Sequence, residues 1–296
     1  MNVLPARHNA SIVACARWES PYIAEWIAYH LKLGFDHIHL YCNDDDPRAF
    51  KAVLRSLPPA MAEAVSYRPY YGQGLQAAMY SDGLPRARRS SDWICILDID
   101  EFIVLKAWES IGALTRRLAA RGIASLHFNW VFYGHNGHAT RPGGSVLGTY
   151  TRRAHLPDVH TKHLSRASCF EPHRIRAEGF PFWHGLASPH WPGFDRRTVL
   201  GHQAGPLLDR FPLAMLPYVT DEGRAAAILD AGYIAHFVFK SRDDFRLRVA
   251  RGLGGNFAGQ VKWRQALDAG QAEAILDGMN EIEDRFLAER FGAPSG

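Results

Sequence analysis

The apolar run Trp93-Ile94-Cys95-Ile96-Leu97, followed at once by Asp98-Ile99-Asp100-Glu101, constrains this chain more than any other stretch. Five consecutive apolar residues predict a strand buried on both faces. Three carboxylates at the end of such a strand are expensive unless something neutralises them. A divalent cation does that. Aspartates at positions i and i+2 point to the same side of an extended chain, so Asp98 and Asp100 are expected to face one ion, directly or through water. Oxygen ligands favour Mg2+ or Mn2+ over zinc. Nearby arginines holding an acidic strand end are the structural alternative.

The residues leading up to this strand alternate strand-like and helical patterns. SIVACA (11–16) precedes PYIAEWIAYHLKLG, HIHLYC (37–42) precedes a helix through AFKAVLRSL, and AVSYRP precedes a segment around QAAMYSDGLPRARR; DWICILDIDEFIVL (92–105) closes the series. Strands separated by helices of this length predict right-handed crossovers and an α/β fold with a mainly parallel sheet flanked by helices. Ligands collect beyond the carboxyl ends of such strands. The helix over 21–33 is expected to start with Ser20 as cap and Pro21 in its first turn, to turn Ile23, Trp26, Ile27, His30 and Leu33 toward the sheet, and to stop at Gly34.

After Trp108 the character changes. A helix over 109–121 leads into IASLHFNWVFYG, and the chain to about residue 202 is rich in Gly, Pro, His and aromatics, with short strand-like pieces in SVLGTYTRR and HTKHLSRAS. Ten of the 15 histidines lie between His127 and His202, and a long irregular stretch of this kind usually carries function. Residues 110–194 hold ten Arg or Lys against three acids, which suits an anionic ligand such as a phosphate ester. GYIAHFVFK (232–240) reads as a late strand, followed by helices at 242–251 and 260–290. Gly252-Leu253-Gly254-Gly255 follows no strand and is not a dinucleotide loop. The pairs His135/His138 and His160/His163 would suit zinc only on a helix, and neither segment reads as one.

Composition narrows the remaining classes. With 296 residues, 47% hydrophobic and 22% charged, the chain is an ordinary globular one rather than a disordered or coiled-coil one. A net charge of +4 is too small for a nucleic-acid coat. No apolar run approaches the ~18 residues of a membrane helix, and MNVLPARHNA lacks the apolar core of a secretory signal, so a cytoplasmic protein is expected. Cys15, Cys42, Cys95 and Cys169 are far apart, as reduced core thiols would be.

The motifs, taken in order, resemble those of the GT-A glycosyltransferases of the family 2 and family 92 group. WICILDIDEF is similar to their metal and nucleotide-sugar motif. Ala16-Arg17-Trp18-Glu19-Ser20-Pro21-Tyr22-Ile23-Ala24-Glu25-Trp26-Ile27-Ala28-Tyr29-His30 with Gly34 resembles the family opening, and Tyr41-Cys42-Asn43-Asp44-Asp45 resembles the loop after its second strand. Phe132-Tyr133-Gly134, Gly137, Lys162, His236-Phe237, Lys240-Ser241 and Arg251-Gly252 then follow in the family order. Two departures stand out: Arg17-Trp18 replaces Lys-Asn, and Cys42 stands where an Asp is usual.

The resemblance implies a GT-A-like α/β fold, with one catalytic domain over 1–260 divided into a nucleotide-sugar half (1–108) and a basic, loop-rich acceptor half (109–260), and a helical extension over 261–296. It implies a hexosyltransferase that needs Mn2+ or Mg2+ and moves sugar from a nucleotide-diphosphate donor, expected to be a UDP-sugar, to a glycan or glycolipid acceptor with inversion. No nucleic acid or transmembrane segment is implied; peripheral membrane contact is compatible. Asp100, Asp98 and His236 would hold the metal; Arg17, Glu19, Asn43, Asp45 and Asp98 would meet the donor, and Lys162 would pair with its phosphate. An inverting enzyme also needs a carboxylate base, for which the acids are Asp158, Glu171, Glu178 and Asp195; Asp195, after the aromatic run FPFWHGLASPHWPGF, is preferred, with Glu171 beside it. The competing readings are a haloacid-dehalogenase-like phosphohydrolase, whose Asp-x-Asp would sit on the first strand, and a non-catalytic carbohydrate-binding protein on the same fold.

Overall fold

The computed structural model describes residues 7–175, 182–187, 190–251 and 262–292. Its strands are β1 (His8–Ala16), β2 (His37–Cys42), β3 (Val65–Pro69), β4 (Ser91–Asp98), β5 (Glu101–Leu105), β6 (Ser125–Phe132), β7 (Arg152–Arg153), β8 (Thr161–Arg166), β9 (Arg196–Thr198), β10 (Gly232–His236) and β11 (Ile282–Glu283). The helices of the first half are α1 (Ile23–Leu33), α2 (Arg48–Arg55), α3 (Pro59–Glu63), α4 (Gln76–Ser90) and α5 (Ile111–Ala120). Nine strands form one sheet in the order β3-β2-β1-β4-β8-β6-β10-β5, with β9 on β6.

The expected α/β architecture, a mainly parallel sheet flanked by helices, is present. The sheet is parallel from β3 through β4, as the alternating pattern requires, and mixed beyond, because β8 runs antiparallel to both β4 and β6 while β10 is parallel to β6 and antiparallel to β5. The run 92–105 is two strands rather than one: Ile99 and Asp100 form a turn, and β5 leaves β4 to pair with β10. Three strands stand between β4 and β5 in the sheet order. A flat sheet would hold them about 19 Å apart, whereas the step from Asp98 to Glu101 reaches about 10 Å at most. The sheet must therefore curl, and this turn lies inside the curl.

Helix α1 buries Ile23, Trp26, Ile27, His30 and Leu33 as the spacing predicts, and Gly34 ends it at a left-handed φ of 105°. Its start differs: Tyr22 is the cap position and no side chain caps it. The Trp26 indole donates to the Glu101 carbonyl (2.8 Å) and the Tyr29 hydroxyl to the Ile103 carbonyl (2.6 Å), which fastens α1 to β5. Glu25 accepts from the backbone N–H groups of Val146 (2.7 Å) and Leu147 (3.2 Å), so SVLGTYTRR begins as a short helix over Val146–Thr149 and only Arg152–Arg153 is strand. GYIAHFVFK is strand only as far as His236, and 260–290 resolves into helices Lys262–Asp268, Ala272–Asp277 and Phe286–Phe291 with β11 among them. That last segment returns to the body, since β11 pairs with β7 and Leu287 enters the main core. Gly134 permits the return: a Cβ there would lie 2.5 Å from the Met279 carbonyl oxygen.

Cys42 and Cys95 are buried within strands, Cys15 lies in β1, Cys169 is buried in a short 3-10 turn, and all four are free thiols. His30 is wholly buried against Trp26, Tyr29 and Phe102, and burial pushes its imidazole down to about 3. An unfolded chain binds a proton at this residue below about 6.5 while the folded one does not. Stability from His30 is thus fully present above that value and is lost as pH falls toward 3. His30→Phe should therefore flatten the decline in melting temperature between pH 6.5 and 4 by calorimetry; an equally steep decline in the variant would contradict this reading.

Candidate active site

Because β1, β2, β3 and β4 are parallel, Ala16, Cys42, Pro69 and Asp98 all end at one edge of the sheet. The registers of the remaining strands bring the start of β8, the ends of β6 and β10 and the start of β5 to the same edge, with His236 opposite both Phe132 and Glu101. The family-like motifs therefore converge although they are scattered along the chain.

At the centre of this edge is Lys162. Its side chain is fully buried, and its ammonium donates to Asp98 Oδ2 (3.0 Å) and lies 3.4 Å from Glu101 Oε2. Glu101 Oε2 also accepts from the Asp98 backbone N–H (3.0 Å), while Oε1 has no hydrogen-bond partner among the described residues. Burial drives the Glu101 carboxyl well above its ordinary range, and Lys162 counters that. Burial works against the Lys162 charge too, yet Asp98 and Glu101 more than offset it and the ammonium is held firmly protonated. Lys162 is thus committed to two carboxylates of this chain rather than turned toward a phosphate. Asp98 is held on its other oxygen by Gln76 and Tyr80, each at 3.4 Å, so its carboxylate is oriented by α4 as well as β8. The turn at 99–100 replaces the extended geometry assumed for the two aspartates.

Asp100 and His236 do meet. His236 Nε2 lies 3.5 Å from Asp100 Oδ1, both side chains are buried, and the Phe237 N–H donates to the Asp100 carbonyl (2.8 Å). His236 Nδ1 has no hydrogen-bond partner among the described residues. The imidazole packs on Trp130 (4.4 Å between centroids) and Phe132 (5.3 Å), and Trp130 carries His160 stacked on it (4.9 Å, 25°) and His184 edge-on (5.0 Å). Among the described residues no group of three or more His, Cys, Asp or Glu side chains is arranged to hold a metal ion.

The ends of β1 and β2 form a second cluster. Arg17 donates to the Asn43 carbonyl and to Asp45 Oδ2 (2.9 Å), and Asn43 donates to the Gly72 carbonyl (2.9 Å). Glu19 acts electrostatically on Tyr22 and Arg141. Trp18 adopts a left-handed φ of 61°, about 1 kcal/mol or more of strain for such a residue. Its backbone N–H is held by the buried Asp44 carboxylate (2.6 Å), its ring is 48% exposed, and the Arg17 guanidinium lies 4.9 Å from it.

The acids favoured as base lie elsewhere. The Asp195 carbonyl accepts from Ala124 and Ser125 at the start of β6, and its carboxylate pairs with Arg197 (2.6 Å); at about 3.3 Å per residue it stands roughly 20 Å from the active edge. Glu171 follows the far end of β8 and is paired with Arg88 near the end of α4. Glu178 and Gly252–Gly255 lie outside the described residues. Asp158 is at the active edge, its backbone N–H bonded to the Trp130 carbonyl (2.7 Å) and its carboxylate to His160. Sequence reasoning gave no role to Trp18, Asp44, Gln76, Tyr80 or His184; Trp18 and Asp44 lie inside the family-like motifs, and no local pattern marked the other three.

Removing the Lys162 ammonium leaves Glu101 buried without its counter-charge. Lys162→Met should cost about 3–5 kcal/mol, a loss that grows as pH rises because the folded state then keeps a proton on Glu101 that the unfolded chain releases. Glu101→Gln in the same background should recover part of it. Urea unfolding at pH 5 and pH 8 checks this, and a loss under about 1 kcal/mol at both would contradict the role given to Lys162.

Residues 13–145 match the family model described as Glycosyltransferase family 92. A family 92 protein of Oryza sativa subsp. japonica is 25% identical over 169 residues, 57% of this chain and 28% of that protein; one of Ricinus communis is 25% identical over 155 residues, 52% of this chain and 28% of its own length. The chain thus spans less than a third of those relatives. Among solved structures, S. aureus TarS with UDP is 12% identical over 57% of this chain and 52% of that one at a TM-score of 0.34. The mannosyltransferase PcManGT from Pyrobaculum calidifontis with GDP-Man and Mn2+ is 14% identical over 48% and 39% at 0.28. Over residues 13–145 the chain is therefore similar to glycosyltransferase family 92.

Proposed function

We propose that this protein is a metal-dependent glycosyltransferase that moves a sugar from a nucleoside diphosphate, a uridine nucleotide, to a hydroxyl of a glycan or glycolipid with inversion at the anomeric carbon. The meeting of Asp100 and His236 at the carboxyl edge, 3.5 Å apart, carries this reading. One carboxylate oxygen and one imidazole nitrogen on converging side chains suit a divalent ion that takes its remaining ligands from water and from the diphosphate itself. His236 Nδ1, lacking a partner among the described residues, leaves the ring's orientation to packing on Trp130 and Phe132. An Mn2+ or Mg2+ ion held there would stabilise the negative charge that collects on the departing diphosphate.

This chain's residues divide the remaining work. Asp98, fixed by Lys162, Gln76 and Tyr80, presents a carboxylate beside the metal position and within the donor region, suited to a ribose hydroxyl or to the ion. Arg17, Asn43, Asp45 and Glu19 line the ends of β1 and β2, where base and ribose would lie, and the exposed Trp18 ring offers a stacking face. Residues 1–108 then form the donor half, 109–260 the acceptor half with its basic surplus, and 261–296 an extension. Among the described residues no helix is long and apolar enough to cross a membrane, and we place the protein in the cytoplasm with its acceptor delivered in solution or at a membrane surface.

Asp100→Asn and His236→Asn should each weaken Mn2+ affinity in the presence of UDP by about tenfold or more, read by electron paramagnetic resonance of free Mn2+, with little change in melting temperature. Unaltered Mn2+ affinity in both variants would remove the metal assignment. A large melting-temperature drop in His236→Asn with affinity intact would return His236 to a packing role.

A further inference from the structure

We infer that His160 is the general base of this site, oriented by Asp158, an inference that rests on the transferase reading above. The two residues lie outside the matched family segment 13–145. Asp158 Oδ1 lies 2.6 Å from His160 Nδ1 and also accepts the His160 backbone N–H at 2.9 Å. Burial opposes the Asp158 charge, but the His160 hydrogen bonds hold its carboxyl below the ordinary carboxylate range. An ionised carboxylate only accepts, so Nδ1 must carry the ring proton and Nε2 keeps its lone pair. That is the protonation pattern a histidine base requires.

The ring is also placed for the task. It stacks on Trp130 and meets His184 (5.5 Å) and Phe211 (5.3 Å) edge-on, while remaining 37% exposed. Trp130 packs against both His160 and His236, so an acceptor laid over this face would lie between the base and the proposed metal position's ligand His236, one ring away. In the reaction, His160 Nε2 takes the proton of the acceptor hydroxyl as that oxygen bonds to the anomeric carbon. The bond from the anomeric carbon to the diphosphate breaks, its electron pair leaving on the phosphate oxygen, and the imidazolium then gives its proton to bulk water. Asp195 and Glu171, at the opposite edge, cannot do this.

Two experiments test the inference. Two-bond 1H–15N correlation spectra of the wild-type protein should show neutral His160 protonated at Nδ1, and Asp158→Asn should erase that preference; protonation at Nε2 in the wild type overturns the proposal. In assays with UDP- and GDP-linked hexoses and Mn2+, water serving as acceptor, His160→Gln should lower kcat about 10²–10⁴-fold with donor KM unchanged, and His160→Gly should be partly rescued by added imidazole. Wild-type turnover with an undiminished kcat in His160→Gln overturns the base assignment and leaves the transferase reading standing. Absence of both nucleotide-sugar binding and turnover in the wild type overturns the transferase reading and the base with it.

Discussion

A single buried ammonium allows the carboxylate-rich turn to exist at the centre of the sheet. Asp98, Asp100 and Glu101 lie within four positions, and Glu101 is completely inaccessible to solvent. Lys162 reaches two of the three from β8, and it can do so because β8 runs antiparallel to β4 and starts at the edge where β4 ends. The pair is worth little as net stabilisation, since desolvation consumes much of the Coulomb gain. Its consequence is positional: with Asp98 and Glu101 tied to Lys162, the third carboxylate, Asp100, is the one directed at His236.

The family-like residues of α1 serve the same end from the other side. Trp26 and Tyr29 bond to the backbone of β5, and Glu25 caps a helix 121 residues away in sequence from its Val146 contact. These side chains touch no expected ligand. They set where Glu101 begins β5 and therefore how tightly the sheet curls around the turn.

How much of this was legible in the sequence follows from range. The core face of α1, its stop at Gly34 and the strand through Leu97 depend on neighbours within one or two turns, and the hydrophobic spacing reported them. The turn at Ile99-Asp100 did not show, because Ile99 is as apolar as the strand before it and is itself buried. Lys162 was found through motif order, but its partner was misassigned: whether a lysine meets a phosphate or a carboxylate depends on the register of an antiparallel pair 64 residues away, which no local pattern encodes. Asp195 was misplaced for the same kind of reason. An acid after an aromatic run says nothing about which end of β6 it will join, and the parallel pairing of β9 sends it to the wrong end. His236 was placed by motif order and does stand beside Asp100, whereas the Asp158–His160 pair became visible only once Trp130 fixed where the irregular segment returns.

We propose that the carboxyl edge receives a divalent ion together with a nucleoside diphosphate. Paramagnetic relaxation by substoichiometric Mn2+ in the presence of UDP tests it most directly. Resonances of Asp100, His236 and the Trp130 indole should broaden first, while those of Ala124 and Asp195 at the opposite edge stay sharp; broadening that is uniform, or centred away from Asp100 and His236, would contradict it.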